Sequence, residues 1–297
     1  MKHSEKRQER RNRRGGKPGF FGSLVLQIKK DKTAFIVYCI LRVLVIAVIV
    51  RCAVQGQWES VFIGFLALLL FMLPPFVEKS FRVVLPTTLE ILVFVFVFCA
   101  EILGEIEAFY IKIPFWDTAL HTVNGFMFAA FGFCLADILN KSKNIRFQLS
   151  PIYLAVVAFC FSMTIGVLWE FFEFTADRVA LTDMQKDRLV QTVSSTLLNE
   201  QGLNKAVILE GVTRTEVCYN GGTYIIEGGY LDIGIIDTIK DLMVNFVGAV
   251  VFSVIGYFYV KHRGKGKIAS QFIPVFEDDS DADDASGEDS HPKDGEA

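Results

Sequence analysis

Four stretches of the sequence place acids, and one histidine, at helical spacing inside otherwise apolar runs. Glu101 and Glu105 are four residues apart, as are Asp117 and His121. Glu170 and Glu173 are three apart, with Asp177 four further on. Asp237, Asp241 and Asn245 form an i, i+4, i+8 stripe covering ~12 Å of helix axis. Steps of three and four stack side chains on one face, so each set is a one-sided polar patch. Several carboxylates around one imidazole suit a divalent cation. Oxygen ligands favour Mg²⁺, Mn²⁺ or Ca²⁺, and histidine with carboxylates can also hold Zn²⁺ or Fe²⁺. Asp117, His121, Glu170, Glu173, Asp237 and Asp241 are the candidate metal ligands. Glu101, Glu105 and Asn245 extend the polar site, and His121 and Glu170 are the candidate acid/base groups. Without a cation the carboxylates repel and some must be protonated, which leaves a proton relay or cation pathway open. A third reading is a structural network neutralised by Lys240, Arg178, Arg42 and Arg51.

The elements that must position these groups are membrane spans. Of 297 residues 52% are hydrophobic, and the mean hydropathy is +0.40. A span needs about 20 mostly apolar residues, and six stretches qualify: Ala34–Val54, Val61–Phe76 (stopped by Pro74-Pro75), Thr87–Glu105, Thr118–Ala136, Ile152–Phe174 and Ile236–Val260. The expected class is therefore an all-α polytopic membrane protein with six transmembrane helices. Orientation follows the positive-inside rule. The N-terminal arm, the 2–3 and 4–5 connections and the segment after span six together hold 20 Lys/Arg; the opposite short connections hold only Lys112. Both termini are thus expected in the cytoplasm. With that topology all four polar sets fall at the outer ends of their spans, late in odd spans and early in even ones. Scattered salt bridges have no reason to obey that rule; an acid-lined cavity open to the extracytoplasmic face does.

The net charge of −3 is a cancellation. Residues 1–33 carry +8 and residues 277–297 carry −9. The first reads as a basic disordered cytoplasmic arm in contact with anionic lipid, with no nucleic acid expected as partner. Residues 261–297 read as an acidic disordered tail. Membrane helices 1–5 occupy 34–176, an extracytoplasmic insertion 177–235, and helix 6 residues 236–260. In the insertion, Thr182 and Gln185 have capping-box spacing, and Leu189, Val190, Val193, Leu197 and Leu198 recur at helical intervals, predicting a helix over Asp183–Asn199. Strands are predicted at Val207–Leu209, Val212–Tyr219 and Thr223–Glu227, the last two around a turn at Asn220-Gly221-Gly222. The six cysteines form no CxxC pair, so neither a thiolate zinc site nor a disulfide framework is indicated. Trp58, Trp116, Trp169 and Tyr110 are expected to anchor spans at the outer interface.

Four segments, GEIEAFY (Gly104–Tyr110), FWDTALHTVNGF (Phe115–Phe126), WEFFEF (Trp169–Phe174) and GYLDIGIIDTIKDLMVNFVGA (Gly229–Ala249), resemble the YjdF-like family of bacterial inner-membrane proteins. The resemblance covers roughly residues 90–260. It implies a multi-pass protein of the bacterial plasma membrane with these acidic and histidine positions as its recurring motif, and it supplies no activity, substrate or cofactor. From the residues alone, the expected function is a divalent metal site (Mg, Mn or Zn) acting on a lipid-linked or envelope substrate. The alternatives are an ion- or proton-coupled transporter and a structural or regulatory protein. No GxSxG, HExxH or phosphate-binding glycine loop is present.

Overall fold

A computed structural model describes residues 32–81, 83–141, 149–262, 266, 269–273 and 275–276. The basic arm up to residue 31 and the acidic tail after residue 276 lie outside the described residues. The chain divides into two compact units, Met1–Lys112 with Lys267–Ala297, and Ile113–Gly266. Five helical stretches are long and apolar enough to cross a membrane: Lys32–Val54, Trp58–Phe81, Trp116–Asn140, Pro151–Val179 and Ile235–Lys261.

The first unit contains α1 (Lys32–Val54), α2 (Trp58–Leu70), α3 (Leu73–Phe81), β1 (Val83–Val84), α4 (Thr87–Val97), a π-helical run (Phe98–Ile106) and α5 (Phe109–Lys112). Its core gathers Val45, Ile49 and Cys52 from α1, Ala67 from α2, and Phe71, Phe94 and Ile102. Phe71 and Phe94 meet edge-on at 5.8 Å, a favoured aromatic geometry. Pro74 and Pro75 do not end the second helical stretch. They occupy the first turn of α3, after a turn at Phe71-Met72, where a missing N–H costs no helical bond. Arg42 donates to Met72 Sδ at 3.1 Å and lies over the Tyr38 ring at 4.4 Å. Arg51 pairs with Glu107 at 2.5 Å.

The expected third span is two kinds of helix joined end to end. α4 passes directly into the π-helical run, which carries Glu101 and Glu105. The bond from Glu107 N to Ile102 O, five residues back, closes that run at 3.0 Å.

The second unit holds three long helices, α6 (Trp116–Lys141), α7 (Pro151–Val179) and α8 (Ile235–Lys261), with the insertion between α7 and α8. Ser150 caps α7 by accepting from Tyr153 N, with Pro151 at the first helical position. Close approach depends on glycine. A Cβ on Gly248 of α8 would lie 2.0 Å from Thr122 O of α6, and one on Gly125 of α6 would lie 2.1 Å from Asn245 O of α8. Small residues of this kind let membrane helices come backbone to backbone. Beyond the glycines, Phe252 is fully buried and meets Phe126 at 5.1 Å and Phe133 at 6.0 Å.

The insertion is built of strands. β2 (Leu189–Val190) pairs antiparallel with β7 (Tyr230–Leu231), β3 (Thr192–Ser195) with β4 (Val207–Glu210), and β5 (Arg214–Tyr219) with β6 (Gly222–Glu227). The three predicted strand segments are present, and the last two form the expected hairpin. The helix predicted over Asp183–Asn199 is absent: that range holds β2, β3 and a single 3-10 turn at Thr196–Leu198, so the insertion is not the expected helix-plus-hairpin. Two causes act together. Thr182, the supposed cap, donates its hydroxyl to Asp177 at 2.7 Å, and the same carboxylate takes Met184 N and Gln185 N at 2.7 and 2.9 Å. The residues that follow, Val190, Thr192 and Val193, are β-branched and favour the pleated ladder they form with β4 and β7.

Candidate functional site

The polar groups of the second unit collect where α6 begins, α7 ends and α8 begins. On α6, Asp117 and His121 are one turn apart, and His121 Nε2 lies 3.4 Å from Asp117 Oδ1. From α8, Asp241 brings Oδ2 to 3.8 Å from the same nitrogen. One ligand atom each from Asp117, His121 and Asp241 falls within 4.8 Å of the others, a spacing that a single cation could bridge. These are the three residues of the six candidate ligands that converge as a possible metal group among the described residues.

Asp237, one turn before Asp241, is 4% exposed and tied to the insertion. Its Oδ2 accepts from Lys186 N at 3.0 Å and its Oδ1 faces Arg188 Nη2 at 3.3 Å. Glu170 Oε2 accepts from Gln185 Nε2 at 3.3 Å, and that amide also donates to Thr238 Oγ1 at 2.7 Å. Glu173 Oε1 accepts the Trp169 indole N–H at 2.8 Å, so Trp169 holds a carboxylate besides any interfacial role. Asn245 is 1% exposed; its Nδ2 donates to Met163 Sδ at 3.6 Å, and it fits against Gly166, whose absent Cβ would be 2.8 Å from Nδ2. Glu101 and Glu105 belong to the π-helical run of the first unit and are described with it. Arg178 lies over the Phe174 ring at 5.4 Å.

Lys240 stands among the aspartates. Its Nζ is 3.2 Å from Asp117, 3.6 Å from Asp241 and 4.0 Å from Asp237. Three buried or half-buried aspartates thus face two cations, Lys240 and Arg188, one fewer than the carboxyl groups. Asp241 Oδ1 is buried and accepts no hydrogen bond, facing the Lys240 ammonium at 3.6 Å. Leaving a buried acceptor unsatisfied costs about 1–3 kcal/mol, and more for a charged group. A bound cation would relieve both conditions.

The loop that reaches into this cluster is anchored at both ends. Asp177 gathers Thr182, Met184 N and Gln185 N, while Asp232 Oδ1 accepts from Arg188 N at 2.6 Å and its Oδ2 from Ile236 N at 2.9 Å. Burial, reinforced by the charges of Asp183, Asp232 and Asp177, pushes the Asp187 carboxyl above the usual carboxylate range. Gln185, Lys186 and Arg188 were not among the expected site residues. Helical spacing cannot reveal them, because they arrive from a loop whose path is set by Asp177 and Asp232.

Residues 35–262 match the model of a family described as "Predicted membrane protein (DUF2238)". The chain belongs to this family. The matched range contains every candidate residue from Glu101 to Asn245, and it makes the protein a membrane protein with several candidate transmembrane helices. An "Uncharacterized protein" of Thermotoga maritima is 27% identical over 157 residues, covering 52% of this chain and 77% of that relative. No solved structure matches.

Proposed function

We propose that this DUF2238 member is a multi-pass protein of the bacterial plasma membrane, kin to the YjdF-like proteins, that holds a divalent cation at the extracytoplasmic ends of α6, α7 and α8. Asp117, His121 and Asp241 are its first ligands. The observation that carries this reading is the meeting of those three groups from two helices, with one ligand atom of each within 4.8 Å of the others. Asp237, Glu170 and Glu173 surround the ligands and complete the acidic lining. Six spans follow if α4 and the π-helical run, continuous from Thr87 to Ile106, cross as one. Both termini then lie in the cytoplasm, consistent with the Lys/Arg bias, and the basic arm meets anionic lipid.

A divalent ion at this position would supply Lewis acidity and a readily deprotonated water. His121, whose Nε2 faces both aspartates, and Glu170, which accepts from Gln185, are the groups placed to move a proton. The finer reading is hydrolysis or group transfer on a lipid-linked or envelope substrate reaching the outer leaflet. A transport pathway receives less support, because the opposite half of the unit is almost wholly apolar, including the groove of about 320 Å³ between α7 and α8. Ala129, Ala130 and Phe133 of α6 and Leu154 and Ala158 of α7 are fully buried there.

Metal analysis of detergent-purified protein after exchange into Mg²⁺, Mn²⁺ or Zn²⁺ tests the proposal. Wild type should retain one of them stoichiometrically, and His121→Ala and Asp241→Ala should each lose it. Wild-type protein that is well folded and metal-free in all three would overturn the proposal. A second reading, an ionic network that only sets helix register, is favoured by one observation: Lys240 already stands among the three aspartates.

A further inference from the structure

The position of Lys240 bears on how that site is regulated. A divalent cation bound by Asp117, His121 and Asp241 needs oxygen or nitrogen donors within roughly 2.0–2.6 Å. The Lys240 ammonium lies 3.2 Å from Asp117 Oδ2 and 3.6 Å from Asp241 Oδ1, on the same two carboxylates whose other oxygens, Asp117 Oδ1 and Asp241 Oδ2, face His121. The two cations compete for the same two carboxylates, since an ammonium offers no lone pair and repels an ion held on their other oxygens.

The two parties differ in freedom. The Asp241 side chain is 3% exposed and that of Asp117, on a one-carbon stem, is 24% exposed, whereas that of Lys240 is 30% exposed. Lys240 also carries its charge on a flexible four-carbon stem. The aspartates therefore stay, and the lysine has a way out.

The geometry points to Lys240 as a tethered, displaceable cation that gates the metal site and selects divalent over monovalent ions. This inference rests on the divalent-cation reading above. A sodium or potassium ion brings no more charge than the ammonium it would displace. It must also compete from solution against a group held at high effective concentration by its own backbone. A divalent ion brings twice the charge and takes the carboxylates at closer range, so it alone displaces the lysine. Arg188, 3.3 Å from Asp237 and on the loop, keeps that aspartate neutralised when Lys240 leaves.

The test uses full-length protein in detergent with Mn²⁺ as probe, titrated by electron paramagnetic resonance. Lys240→Met, which keeps the stem and removes the charge, should bind Mn²⁺ about tenfold tighter or more. Lys240→Arg should not. High sodium should weaken Mn²⁺ binding in Lys240→Met and leave wild type little changed. A second measurement needs no variant. Acylation of Lys240 by a water-soluble amine reagent, read by peptide mass spectrometry on wild type, should rise severalfold on Mn²⁺ saturation. If wild type binds Mn²⁺ but Lys240→Met binds it equally or more weakly, or Lys240 labelling stays flat or falls, gating is refuted and the metal site stands. If neither wild type nor Lys240→Met binds Mn²⁺, both proposals fall. Binding seen in Lys240→Met alone refutes displacement: the lysine then stands in place of the ion, and the divalent-cation reading of wild type falls with the gate.

Discussion

At the insertion end of α6, α7 and α8 the contacts are ionic; toward the other end the same helices meet through glycine and phenylalanine. Along α8 the change occurs within about four turns, from Asp237, Asp241 and Asn245 to Gly248, Ala249 and Phe252. All six are buried, so burial does not distinguish the halves. What differs is how each half satisfies it. The apolar half is closed by shape, with backbones touching at Gly248 and rings at Phe252. The polar half is closed by charge, with Lys240 and Arg188 set against three aspartates. A half closed by shape has one well-packed state. A half held by charge can exchange one cation for another, and the proposed cation site lies in that half.

The largest effect is expected at the boundary between them. A side chain at Gly248 would strike Thr122 O and Phe126 N, both backbone atoms that cannot turn aside. Gly248→Val should cost about 3 kcal/mol or more and abolish a cooperative melt in detergent. A normal melting curve would show that the two helices are not in backbone contact. Next is Phe252→Ala, which opens a cavity against Phe126 and Phe133. A loss of about 2–4 kcal/mol is expected, unchanged by salt or Mn²⁺. Rescue by either would mean that the halves are not independent. The smallest effect belongs to Arg188→Gln. The Arg188 side chain is 47% exposed, and such pairs contribute at most about 1 kcal/mol. The melting point should barely move, while amide exchange across residues 184–190 accelerates. Unaltered exchange would show that Arg188 does not hold the loop to α8.

How far the site was legible depended on whether its residues share an element. Asp117 with His121, and Asp237 with Asp241, are four apart on single helices, so spacing alone placed each pair on one face. The meeting of His121 with Asp241 needed the topology, which brings the start of α6 beside the start of α8. Gln185, Lys186 and Arg188 carried no signal. A capping-box pattern at Thr182 even pointed to a helix that Asp177 prevents by taking the hydroxyl and both amides. The π-helical run was equally hidden, because FCAEILGEI has the composition of an ordinary span. Lys240 was visible only as a neutralising charge, and its place among three carboxylates is a fact of packing.

Composition and period were therefore enough to determine that this is a membrane protein with its acids on single helix faces. Those properties depend on the cost of exposing polar backbone and side chains to lipid, and on 3.6 residues per turn. Tertiary structure decided which faces meet, which loop closes over them, and that a lysine stands where a metal ion could bind. These are relations between residues as much as 123 positions apart, such as Lys240 and Asp117, and local chemistry carries no record of them.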